Sequence, residues 1–452
     1  MFNGIYKLRF SPDGKYLVCF LCDYHTVSVR NYVGYHKVST APSTNSLFDV
    51  VFPERFSLNL CLAAREASLL NYNCVFFTQD SKYLIVATEA QVPEYVPTIS
   101  QVYLNNESLQ PLSSQSLNTV CFYCINLEVG NVCDTFTLMV DRVWVAHGVH
   151  LVGRIMAVLS LQQQTIHIMQ ISDDGHFTAL KQLGKVLYED DSYRLASCYI
   201  IGSIVGMKQR LLSVLYEKAR REGKIDQFLH NFDYLCGFRI WQLQFVLPDV
   251  LLLRFVKQDA FASNATINSQ PAIFVFMNWR SSEIIAVFNK YSDQFLWIVE
   301  NFYEHFKNPH VLDNRFPMTM QHCIYDYERH CRLKHFYGIN EGVKVGIQRQ
   351  ILSCLPYSTA YAPIDTPYLD PAMFKYDDML LTFMDRKDFP PNERFRFFSR
   401  VTSQPVFDIK LSGKRSVQLL FHPYEPFAFS FDRSIGEGTG TFHVPYSALQ
   451  SS

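Results

Sequence analysis

The chain has 452 residues, 48% of them apolar and 15% aromatic, with 37 Phe and 26 Tyr. That is too long for one small core and too apolar for wholesale disorder, and the aromatic share favours strands over helices. A formal net charge of −1 excludes a global field that would hold nucleic acid or an anionic membrane. Residues 1–14 contain no apolar signal core, and no stretch reaches the ~18 uninterrupted apolar residues of a membrane helix; Leu243–Val256 comes nearest and is cut by Pro248, Asp249 and Arg254. An intracellular, soluble protein is expected, with its 12 cysteines as buried thiols.

Leu8 and Phe10 lead into Ser11-Pro12-Asp13-Gly14, where Pro12 presets φ and Gly14 supplies the backbone freedom of a tight turn. Two strands follow, Tyr16–Cys22 and Thr26–Val29, the second with period-two alternation. This strand–turn–strand unit is similar to the inner edge of a WD-type propeller blade, although no Trp-Asp dipeptide is present. Val75–Ala87 repeats it in degraded form, with Thr78-Gln79-Asp80-Ser81-Lys82-Tyr83 in place of the first turn. Loops are expected over 36–56 and Gln91–Asn118, both rich in Ser and Pro. Phe122–Asn126 and Asp134–Val140 flank a hairpin at Glu128-Val129-Gly130-Asn131, and Trp144–Leu183 continues as strands with a polar turn at Gln162–Gln164.

The period then changes. Met207, Leu211, Leu215 and Ala219 form one stripe with Leu212, while Lys208, Arg210, Lys218, Arg220 and Arg221 lie mostly opposite. This predicts an amphipathic helix stopped near Gly223, with a second short one over Ile225–Leu235. Strands resume at Arg239–Val246, Leu251–Val256, Ile273–Met277 and Glu283–Phe288. Ser292 caps a helix carrying Phe295, Val299, Phe302 and Phe306, and another helix is expected over Val343–Cys354. Four strand stretches follow, Met373–Met384, Phe395–Val401, Val406–Leu411 and Val417–Arg433, the last holding a Phe421–Pro426 echo of the opening turn, before a final strand at Thr441–Val444. At about 40–45 residues per blade, the strand-forming stretches fill roughly seven blades. The expected fold is mainly β, an irregular WD-like propeller with helical insertions, divided as 1–202 (blades), 203–237 (helical), 238–290 (blades), 291–355 (helical) and 356–452 (blades). Closing the ring would need Thr441–Val444 to pair into the first blade, since an open edge invites aggregation.

Catalytic and metal motifs are weak. Cys19/Cys22 and Cys121/Cys124 have C-x-x-C spacing, but the intervening residues are strand-like, which sends the two sulfurs to opposite faces rather than to one zinc ion. His322-Cys323 and His330-Cys331 would stand about 12 Å apart on a helix, too far to share one tetrahedral site. Gly202–Lys208 misses the phosphate-loop spacing, and Gly436/Gly438/Gly440 gives no dinucleotide fingerprint. Asp190-Asp191 and Asp377-Asp378 read as solvated turn acids. No catalytic residue, cofactor or metal is assigned.

Several segments in order resemble one family, the De-etiolated-1 proteins of plants and animals. They are Arg9–Tyr16, Ile155–His167, Tyr188–Asp191, Lys208–Leu212, Thr366–Asp370 with Phe374–Asp378, and Leu420–Ala428. The family carries a polar segment ahead of the opening turn and, in some members, a polar insertion before the basic helix; this chain begins almost at that turn and lacks the insertion. The resemblance implies a nuclear, non-catalytic component of a cullin-4 ubiquitin ligase. Its partners would be the damaged-DNA-binding adaptor, the constitutive-photomorphogenesis RING protein, a ubiquitin-conjugating enzyme or variant, and histones. Its targets would be transcription factors marked for degradation. A chromatin-bound corepressor acting without ubiquitin machinery is the rival expectation. The partner-facing residues chosen are Glu189, Asp190, Asp191, Lys208, Arg210, Tyr368 and Asp370.

Overall fold

In the computed structural model, residues 5–34, 47–60, 68–92, 117–184, 206–257 and 271–302 are described, together with 305–306, 352, 355–356, 374–375, 394–410, 417–425, 427–432 and 439–443. The first sheet holds β1 (Ile5–Phe10), β2 (Tyr16–Leu21), β3 (Thr26–Asn31), a short helix α1 (Leu47–Val51) and β4 (Glu54–Asn59). The second holds β5 (Leu69–Phe77), β6 (Tyr83–Gln91), β7 (Asn118–Asn126) and β8 (Asn131–Asp141). After α2 (Val145–Gly148), the third holds β9 (Val149–Val152), β10 (Ile155–Ser160), β11 (Thr165–Ile171) and β12 (Phe177–Leu183). Three helices follow, α3 (Met207–Arg221), α4 (Ile225–His230) and α5 (Phe232–Cys236). The fourth sheet is β13 (Phe238–Leu247), β14 (Val250–Lys257), β15 (Ala272–Asn278) and β16 (Glu283–Asn289), followed by α6 (Asp293–Asn301). Two sheets complete the described residues: β17 (Phe374–Lys375), β18 (Arg394–Ser399) and β19 (Pro405–Lys410), then β20 (Val417–Phe421), β21 (Ala428–Asp432) and β22 (Thr439–His443). Every sheet is an antiparallel meander whose strands neighbour one another in chain order.

Alternate residues of each inner strand face different neighbouring sheets. On β2, Leu17 and Cys19 join a core with Leu420 of the last sheet and Phe427 just before β21, while Val18 and Phe20 join one with Leu84 and Val86 of the second. On β6, Tyr83, Ile85 and Ala87 turn instead toward Met156 and Val158 of the third sheet. On β10, Ala157 and Leu159 pack toward the fourth. An inner strand so buried must be apolar on both faces, which accounts for the unbroken runs YLVCFL and IMAVLS. Consecutive small sheets packed face to face in this way make an irregular β-propeller.

The repeated turns match hydrogen bond for hydrogen bond. Ser11 Oγ donates to Asp13 Oδ1 (2.6 Å) and accepts from Tyr16 N–H (2.9 Å), while Lys15 N–H donates to Asp13 (3.2 Å). In the second sheet Thr78 Oγ1 donates to Asp80 (2.6 Å) and accepts from Tyr83 N–H (3.0 Å), while Lys82 N–H donates to Asp80 (3.2 Å). Gly14 (φ 72°) and Ser81 (φ 54°) fill the same left-handed position. The Phe421–Pro426 echo keeps the frame, with His422 N–H bonded to Phe427 O as Ser11 N–H is to Tyr16 O.

Ring closure differs from the expectation. The C-terminal strand pairs with β21 inside its own sheet, and β1 already fills the first position of the first sheet. The two ends meet through side chains. His422 Nδ1 accepts from Tyr424 and Glu425 N–H (3.2 and 2.9 Å). The ring proton therefore sits on Nε2, which donates to Gly14 O at 3.0 Å. Tyr32 stacks on His422 with ring centroids 4.4 Å apart, and its hydroxyl donates to Glu425 (2.6 Å).

Burial holds the His422 imidazole neutral to lower pH than in the unfolded chain, against the opposing pull of Gly14 O, Glu425 and Asp13. The unfolded chain thus takes up the proton first, around the ordinary value of 6.5, so this stabilisation is complete above that pH and is lost as pH falls. Thermal midpoints measured from about pH 8 to about pH 5 should decline less steeply for His422→Asn than for the parent; equal slopes would contradict this.

Other expectations are corrected by packing. Within 36–56, α1 and the start of β4 replace loop, because Phe48, Val51 and Phe52 share one helical face buried in the first core. Trp144–Gly148 is helical rather than extended: His147 and Gly148 N–H bond Trp144 O, and the Trp144 ring lies 4.2 Å from His147 and 4.8 Å from Trp241. Ile225–Leu235 divides into two helices at Asn231. Ser292 caps α6 as expected, and Phe295, Val299 and Phe306 are buried, but Phe302 follows the helix end and is exposed. The helix over Val343–Cys354 lies outside the described residues except Leu352, as does most of Met373–Met384 and the interior of the 91–118 loop.

Candidate docking surface

Among the described residues no group of three or more His, Cys, Asp or Glu side chains could hold a metal ion. On β7, Cys124 points into the core between the second and third sheets, whereas Cys121 packs on the opposite core. Burial pushes the Cys19 and Cys124 thiols up to about 12, far from the thiolate that zinc or nucleophilic chemistry needs. Among the described acids Asp141 is shifted furthest, raised to about 6 by burial against the opposing bonds from Ser160, Arg142 and Gln162. Its Oδ1 accepts from Arg142 and Gln162 N–H (2.6 and 3.3 Å), so it ties the end of β8 to the β10–β11 turn. Among the described residues no helix is long and apolar enough to cross a membrane.

The exposed feature is the α3–α5 unit between the third and fourth sheets. Met207 and Leu211 are buried, and Leu215 and Leu235 are partly buried, all against the core shared by those sheets. The helix ends in a Schellman motif: Lys224 N–H bonds Ala219 O (2.8 Å) and Gly223 N–H bonds Arg220 O (3.2 Å), with Gly223 at φ 69°. Lys218, Arg220 and Arg221 crowd this last turn, where the helix dipole favours cations. Arg220 pairs loosely with Glu217 at 3.7 Å, and both are exposed, so the pair adds little stability. Beside this basic end, the rings of Tyr216, Phe228 and Phe232 form an edge-to-face ladder with 5.6 and 6.0 Å spacings. Leu229, on the same short helix as Phe228, is 58% exposed.

Of the chosen residues, Lys208 and Arg210 lie half-buried on the first turn of α3, away from its exposed basic end. Glu189, Asp190, Asp191, Tyr368 and Asp370 fall outside the described residues, as do His322, Cys323, His330, Cys331, Asp377 and Asp378. The apolar stripe of α3 does not include the ladder. The i, i+4 spacing of Phe228 and Phe232 was its signal, visible only if Phe228 is counted as a surface residue.

The sequence profile described as "De-etiolated protein 1 Det1" matches residues 72–446. The chain belongs to the De-etiolated protein 1 family. Light-mediated development protein DET1 of Arabidopsis thaliana is 24% identical over 498 aligned positions, covering 94% of this chain and 88% of that protein. Its namesake in Solanum lycopersicum is 25% identical over 480, covering 96% and 87%. Among solved structures, the β-propeller domain of Myceliophteria thermophila Cps50 (Swd1) aligns over 98% of this chain and 97% of that one, at 9% identity and a TM-score of 0.33. That likeness is too slight to carry an argument, and the propeller assignment rests on the sheets themselves. In this De-etiolated protein 1 family chain, the aromatic ladder and the basic helix end lie side by side on the surface of the α3–α5 unit.

Proposed function

We propose that this chain is a non-catalytic scaffold of a cullin-4 ubiquitin ligase. In this reading it binds the damaged-DNA-binding adaptor in the nucleus. It works beside the constitutive-photomorphogenesis RING protein and a ubiquitin-conjugating enzyme or variant, and it brings regulatory proteins such as transcription factors to degradation. Family membership over residues 72–446 carries the reading. The α3–α5 face supports it, because exposed aromatic and basic side chains on a rigid propeller serve docking rather than bond chemistry. The plant relatives are named for light-mediated development, a role that controlled removal of regulators would serve. Glu189, Asp190, Asp191, Lys208, Arg210, Tyr368 and Asp370 are proposed as partner-facing positions.

Acute depletion of the protein should lengthen the half-life of its bound transcription factors and reduce their ubiquitin conjugates. Unchanged half-lives with changed transcription would favour the chromatin-corepressor reading, for which the exposed Arg220 and Arg221 supply a histone- or DNA-facing site. Charge reversal at those two arginines should then abolish histone or DNA retention.

A further inference from the structure

A groove of about 530 Å³ runs between the α3–α5 helices and the β15–β16 edge of the fourth sheet. Its walls include Leu215 and Phe228 from the helices and Phe238 and Ile273 from the sheet. Tyr234 and Tyr291 also line it and stay 42% and 50% exposed. Each presents a ring face to an ammonium: Lys257 Nζ lies 5.5 Å from the Tyr234 centroid and Lys290 Nζ 6.0 Å from that of Tyr291. Lys218 and Lys224 stand exposed on the rim against the single carboxylate of Glu222, while Lys290, also in the wall, is buried. That carboxylate is itself held below its ordinary range by Lys224, which it meets at 3.0 Å, and by Lys218 and Arg221. The groove is apolar inside and net positive at its edge.

We infer that this groove takes an acidic amphipathic segment of a partner protein, with apolar side chains in the groove and carboxylates against Lys218 and Lys224. Charge complementarity fixes the sign of the partner. Extent fixes its class: Phe228 lines the groove and also meets Tyr216 and Phe232 edge-to-face on the outer face of the helices. The apolar surface therefore continues beyond what a small anion covers and matches the repeating anchors of a helix laid in a groove. The inference does not depend on ligase membership.

The test is selection of a random peptide display library, about 16 residues or some four helical turns long, on the full 452-residue chain. A fluorescein-labelled copy of the best-enriched peptide is then titrated. Recovered peptides should be rich in Asp and Glu, with aliphatic or aromatic residues at helical spacing. The Lys218→Glu, Lys224→Glu double variant should bind them at least about tenfold more weakly, and raised salt should weaken parent binding. Ala219→Trp, which fills the groove, should remove binding without moving the unfolding midpoint. A peptide with its carboxylates replaced by Lys should prefer the doubly reversed variant. Neutral or basic selected peptides, equal affinity for parent and double variant, or no enrichment above background would each overturn the proposal. Competition of the labelled peptide by inorganic phosphate at a concentration that leaves ionic strength unchanged would also overturn it, in favour of a small-anion site.

Discussion

Gly14→Ala should destabilise the junction of the first and last sheets by roughly 2–4 kcal/mol. Two effects add. At φ 72° a Cβ is strained whatever the space around it, and the Cβ would stand 2.6 Å from His422 Cε1 and Nε2. The His422 ring cannot retreat cheaply, because it is buried between Phe10 and Tyr32 and bonded at both nitrogens. Gly223→Ala separates the two effects: its φ is 69° but nothing lies within 4 Å of the added carbon, so only the strain of about 1–2 kcal/mol remains. Hydrogen exchange of the Ser11–Tyr16 and His422–Phe427 amides under mild denaturant should rise in Gly14→Ala and not in Gly223→Ala. Equal exchange in the two variants would mean the ring ends are not held through His422.

Phe295→Ala should cost about 3–5 kcal/mol. Phe295 is fully buried on α6, with its ring centroid 4.7 Å from Phe274, 5.6 Å from Phe288 and 5.8 Å from Phe276. Truncation would remove the ring that fastens α6 to β15 and β16 and would leave a cavity the two strands cannot close. Trp297, two residues on, is 59% exposed, so Trp297→Ala should stay within about 0.5 kcal/mol. Chemical denaturation of both variants checks the contrast; comparable losses would place α6 differently on the fourth sheet.

The propeller was legible because the chain repeats a local device. The Asp that accepts hydrogen bonds in each turn, at 13 and 80, and the apolar runs Tyr16–Leu21 and Ile155–Ser160 can be read without tertiary information. What was not legible depends on which sheet each face meets. Nothing local distinguishes Trp144–Gly148 from a strand; the chain turns into a helix at Val145 where the Trp144 ring packs on Trp241, 97 positions away. Closure is set in the same way by distant partners, since the contacts of His422 with Gly14 and of Glu425 with Tyr32 span nearly the whole chain. On the α3 helix the amphipathic stripe is legible from Met207, Leu211 and Leu215, and Lys208 and Arg210 lie half-buried on its first turn. Lys218, Arg220 and Arg221 at the other end are exposed, and local sequence does not say which end faces solvent.

Affinity co-purification of this chain from nuclear extract, probed for the damaged-DNA-binding adaptor and cullin-4, tests the scaffold account most directly. Recovery of both, resistant to nuclease treatment, is the predicted result. Loss of both from a chain that is folded by circular dichroism, with histones still retained, would contradict it.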